Sequence, residues 1–160
     1  VLDDAMSCGR RGWLRGKVVS GEVEKDRETL MASVLAFARH MLETNGEFYP
    51  FAALINHSGQ MEQLGADTGD ERPSSKEMIE LLLNALRVWA TDGKLRASAV
   101  AFDVSIQLRG HDGPSDAIAV LFDHVSGTSE QIYVSYRLAS GKADFDEPVS
   151  QPNESAVFRR

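Results

Sequence analysis

The chain has 160 residues, 42% of them apolar and 26% charged, with a formal net charge of −7. That length suits one domain with tails, and the acidic balance lacks the basic stripe that counterion release from a phosphate backbone requires, so nucleic acid is not an expected partner. No stretch approaches the roughly 18–20 uninterrupted apolar residues of a membrane span, so no membrane partner is expected either.

The first 25 residues hold five basic side chains against four acidic ones, so the negative excess lies in the rest of the chain. Gly9, Gly12, Gly16 and Gly21 interrupt this opening stretch and no sustained period runs through it. Residues 1–25 are therefore expected to be flexible, residues 26–148 to form the domain, and residues 149–160 to be a flexible tail. No apolar segment follows the acidic Val1-Leu2-Asp3-Asp4, so no secretory leader is expected. Cys8 is the single cysteine, which excludes an internal disulfide and fits a reducing cytoplasm, the expected location. The run Gly9-Arg10-Arg11-Gly12 lacks the preceding strand and the Gly-Lys-Ser/Thr ending of a phosphate loop.

In chain order, Leu30, Met31, Val34, Leu35, Ala38, Met41 and Leu42 recur at helical steps and predict an amphipathic helix from about Asp26 to Thr44. Asp26 reads as its N-cap and Asn45-Gly46 as its stop. Phe48–Ile55 and Met61–Ala66 read as a hairpin turning at Asn56-His57-Ser58-Gly59, with Pro50 at the strand start or on an unpaired edge. Ser74 and Glu77 have capping-box spacing and open a second helix that carries Met78, Ile79, Leu82, Leu86 and Trp89 and ends at Asp92-Gly93. Three alternating stretches follow, over about 98–108, 116–125 and 130–138, with a short edge strand near Ala143–Phe145.

The expected fold class is α+β: a single five-stranded antiparallel sheet with two helices packed on one face, in the order α-β-β-α-β-β-β. The expected core pairs the helical stripes with Phe51, Phe102, Val104, Ile118, Phe122 and Ile132. The other face would then present Ala97, Ala99, Ala101, Ala117, Ala119, Leu121 and Tyr133, an apolar surface seldom left bare. The helix before Gly46-Glu47-Phe48-Tyr49-Pro50-Phe51, the capped second helix, Phe102-Asp103-Val104, Asp116-Ala117-Ile118 and Asp123-His124 together resemble a group of small bacterial α+β proteins of uncharacterised function. The likeness spans roughly residues 27–148; a proline common there before the tyrosine at position 136 is Ser135 here. It implies the fold and the domain limits and no activity. The helix–hairpin–helix–meander order is also similar to profilin-like and roadblock-like modules, by topology alone.

The chemistry on offer is sparse. His40, His57, His111 and His124 form no His-x-x-x-His, and the lone cysteine forms no Cys-x-x-Cys, so no metal and no cofactor are expected. His40 lies one position before Met41 in the first helix, where a boundary or solvent role is expected rather than ligation, and His57 and His111 fall in glycine-containing turns that suit solvent. Ser58 has no nucleophile-elbow context, and Asp67, Asp70 and Glu71 lack the spacing of a calcium loop. Asp123 and His124 face opposite sides of a strand, so His124 is expected beside Ile118, Val120 and Phe122 at the end of the core face. The weak catalytic candidates are His124, Asp103 and Asp116, with His124 as a general base for a small enzyme or a small-ligand binder. The favoured expectation is a non-catalytic interaction module that binds itself or another protein through the alanine-lined face. Its acidity fits a basic partner, including an immunity-type role against a cationic toxin.

Overall fold

Helix α1 spans Cys8–Asn45 in the computed structural model, which describes residues 8–107, 110 and 112–158, and residues 8–20 by their backbone alone. The expected start at Asp26 is thus corrected. No proline interrupts the sequence between Cys8 and Asn45, and the glycines cost only about 1 kcal/mol each against alanine. Asp26 is an interior residue of this helix, one turn from Leu30 on the stripe that buries Val23, Leu30, Val34, Ala38 and Leu42. The helix stops at Gly46, whose φ of 77° is cheap only for glycine and lets its N–H reach the Leu42 carbonyl at 2.9 Å.

Strands β1 (Phe51–Asn56) and β2 (Met61–Gly65) form the expected hairpin. Helix α2 (Ser75–Thr91) opens on Ser74, whose Oγ accepts the Glu77 N–H at 3.2 Å. The meander then runs through β3 (Leu95–Gln107), β4 (Pro114–His124) and β5 (Ser129–Ala139). Strands β6 (Lys142–Phe145) and β7 (Val149–Pro152) lie end to end along β5, opposite Tyr136–Ala139 and Glu130–Tyr133. All pairings are antiparallel, in the order β2-β1-β3-β4-β5 with β6 and β7 beyond.

The described sheet therefore has seven strands, not five. Part of the expected tail is built into it: β7 pairs with β5, and Val157 is buried. Apolar burial explains the difference, because Val157 and Phe158 complete a cluster that the shorter domain would leave open.

The helices pack on opposite faces, which corrects the expected one-sided arrangement. Helix α1 packs with Ala53, Ile55, Ala97, Ala99, Ala101, Ile118, Val120 and Phe122. Helix α2 packs with Ala52, Leu54, Val100, Phe102 and Leu121 on the other side. Register is the reason. Ala99 lies opposite Phe122 and Ala101 opposite Val120, while Phe102 lies opposite Ala119 and Val104 opposite Ala117. Each face thus sets the small stripe of one strand beside the large stripe of its neighbour. Ala97, Ala99 and Ala101 lie beneath α1, and Ala117 and Ala119 are buried on the opposite face, so these five do not form the expected common open surface. Leu121 and Tyr133 are half-buried on the α2 side of the sheet.

Candidate functional site

His124 ends β4 on the α1 face and is 2% exposed. Its Nε2 lies 2.9 Å from Oδ2 of Asp26, which α1 supplies and which is equally hidden. The same carboxylate takes a two-pronged contact from Arg96, Nε at 3.0 Å to Oδ2 and Nη2 at 2.9 Å to Oδ1. Arg96 reaches it through a break in register: Ile55 pairs with Ala97 but Asn56 with Leu95. The extra residue turns Arg96 towards α1 while Leu95 joins the α2 cluster. One buried anion thereby ties α1 to both β3 and β4.

At the other ring nitrogen, the Ser126 backbone N–H donates to Nδ1 at 3.1 Å. Nδ1 is therefore the acceptor, and Nε2–H donates to Asp26 in the neutral ring. Ser126 Oγ also lies 2.9 Å from Nδ1. Serine, histidine and aspartate thus stand in a row, yet the single in-plane lone pair of Nδ1 is engaged by a backbone amide. Ser126 sits in the exposed Val125–Thr128 turn, where Gly127 has a φ of 104°. These contacts lock the turn and the helix and leave no free base for an exposed nucleophile.

Asp103 and Asp116 do not join this site. His124 pairs with Ala97, and Asp103 lies six residues farther along β3, about 20 Å away at ~3.3 Å per residue. Asp103 accepts the Tyr136 hydroxyl at 2.8 Å. Loss of water around its carboxylate, reinforced by the charge of Asp116, raises its pKa against the opposing pull of the Tyr136 bond. Tyr136 is pushed up as well, first by desolvation and then by its bond to Asp103, so it stays a hydrogen-bond donor. Among the described residues no group of three His, Cys, Asp or Glu is placed to hold a metal ion. His40 and His57 are exposed as expected, while His111 and residues 1–7 lie outside the described residues.

Across the sheet, Asp123 stands opposite Ser98, both buried, with Asp123 Oδ1 and Ser98 Oγ lacking partners. Burial raises the Asp123 pKa despite the help that Ser155, Ser129 and the Ala156 amide give the ionised form. A carboxyl raised in the folded state binds its proton more tightly there, so folding loses stability as pH rises from the unfolded value through the folded one. Asp123→Asn removes this titration. The stability of the variant relative to the parent should therefore climb as pH rises above about 4, the unfolded-state value, measured by urea unfolding at each pH; a flat difference would refute the assignment.

The surface carries a different feature. Strand β2 is a sheet edge, and its outer side is unpaired among the described residues. The Asn56 N–H donates to the Gln60 carbonyl, so the bonded pairs continue at Leu54/Glu62 and Ala52/Leu64. The N–H and C=O groups of Met61, Gln63 and Gly65 then point outwards. Beside this edge, a recess of about 190 Å³ is lined by Leu64, Ala66, Leu81, Leu82 and Ala85. It runs into a groove of about 390 Å³ carrying Asp67, Glu77 and Glu80. Leu81 is 43% exposed and Val88, two turns on, 59% exposed.

Sequence reasoning found His124 but missed Asp26, Arg96 and Ser126. Asp26 was legible in one respect: it lies four residues before Leu30, in phase with the apolar stripe, where a charge demands a buried partner. The bulge that aims Arg96 left no mark in the sequence. Comparison with known proteins adds no relative: no family model, no curated protein and no solved structure matches the chain.

Proposed function

We propose that this domain is a non-catalytic protein-binding module whose binding surface is the open β2 edge and the adjoining α2 groove. The carrying observation is the coincidence of outward-facing backbone groups at Met61, Gln63 and Gly65 with the apolar recess under Leu81 and Ala85. Strand addition supplies affinity through main-chain bonds, and a neighbouring pocket supplies selectivity. Against catalysis, the His124 acceptor is engaged by backbone, and Asp103 and Asp116 lie far from it. The acidic rim fits a basic partner, the class to which a cationic toxin belongs.

Gln63→Pro tests the surface directly. Residue 63 directs its N–H outwards, so proline there blocks an incoming strand without removing a bond to β1. Combined with Leu81→Glu, it should abolish capture of proteins that the parent retains while leaving the circular dichroism spectrum intact. Retention of the same proteins by the folded variant would refute the assignment.

A further inference from the structure

Resting on that reading, we infer that the occupant of the β2 edge is an extended, basic peptide segment with an apolar residue and a lysine or arginine two positions apart, bound as an added strand. The spacing follows from strand geometry. Side chains on one face of a strand recur every second residue, ~6.6 Å apart, and only that face of an added strand looks into the groove beside α2. The apolar recess and the acidic groove are contiguous, sharing Asp67 and Leu81 in their walls. A side chain in the first therefore places its next-but-one neighbour in the second.

Charge selects the occupant. Asp67, Glu77 and Glu80 form no ion pair with any described residue, and one Asp67 oxygen is taken by the Gly69 N–H at 2.9 Å. A cationic side chain entering here gains attraction without first displacing a protein cation. A second copy of the chain is the competing occupant, since two β2 edges could pair about their centres. That pairing brings together two acidic rims of a molecule whose net charge is already −7, and it adds no cation to either. The basic peptide is the better fit.

The test uses the full chain and an acetylated octapeptide, Thr-Val-Thr-Lys-Thr-Val-Thr-Lys, which presents valine and lysine alternately on one face. Titration followed by amide shifts should move Gln63 and Gly65 together with Leu81. Replacing both lysines by glutamate should weaken binding at least tenfold, as should Glu77→Lys with Glu80→Lys in the protein, whose helix faces solvent there. Methylating the peptide amides that would face β2 should also abolish binding, because an added strand needs its own N–H groups. Failure of the lysine peptide to bind, equal binding of the glutamate peptide, or shifts confined to another surface would each overturn the inference. Should Gln63→Pro convert a dimeric parent to a monomer, the occupant is a second copy; the interaction-module reading then stands and the peptide assignment falls. Proteins lost on Gln63→Pro with Leu81→Glu but unrelated to basic peptides would separate the two claims in the same way.

Discussion

Replacing Asp26 with alanine should cost about 3–5 kcal/mol of folding stability, the usual result of removing one partner from a buried ion pair. The magnitude comes from what the carboxylate leaves behind. Arg96 Nε and Nη2 lose both acceptors at once, and the buried Nε2–H of His124 loses its only partner among the described residues. Arg96 is 36% exposed along its side chain and can turn to water, whereas His124 cannot. The His124 share should therefore dominate. Guanidinium unfolding of Asp26→Ala, His124→Ala and the double variant forms a cycle whose coupling energy should reach about 0.5–3 kcal/mol, the range for contacting residues. Independent, additive losses would mean that the helix is held by its apolar stripe alone, and this account of the network would be wrong.

Ala99→Leu should destabilise the protein by about 1–3 kcal/mol, the cost of forcing methylene groups into a packed core. Ala99 is fully buried, opposite Phe122 on one side and Ala53 on the other, with α1 above. The alanine stripe of β3 is what lets the helix lie close to the sheet while Val120 and Phe122 fill the space beside it. A leucine would lift α1 or push Phe122 from its rotamer. Chemical denaturation decides between this and the open-face expectation, under which the added side chain would project from a bare surface and stability would change by less than about 0.5 kcal/mol.

Element identity was largely readable because each element repeats one period for long enough to show. The stripe from Leu30 to Leu42, the Ser74 cap and the strict alternation through Phe102 and Val104 all appear in the fold. Facing was not readable, and one physical fact accounts for it. Alternation states that a strand has two unlike sides but not which side its neighbour matches, and a shift of one residue exchanges them. Both β3 and β4 have a small and a large side, so the sequence is equally consistent with like beside like or like beside unlike. The fold adopts the second, which gives both helices a corrugated seat. The same ambiguity hid the proposed binding surface. Leu81 reads as one more apolar residue of α2, and only the position of β2 beside it shows that it is left uncovered.

The unequal ends of the sheet carry a consequence for assembly. At one margin β2 offers five consecutive residues without a proline. At the opposite margin β6 and β7 have four residues each and are separated by Asp146-Glu147-Pro148, with Pro152 closing the second. Such a broken border is a poor template for a further strand. Head-to-tail stacking of molecules into a fibre needs both margins to be receptive, and here only one is. If the proposed docking along β2 occurs, it should end after a single event, with the stoichiometry capped by the fold itself even where concentrations are high.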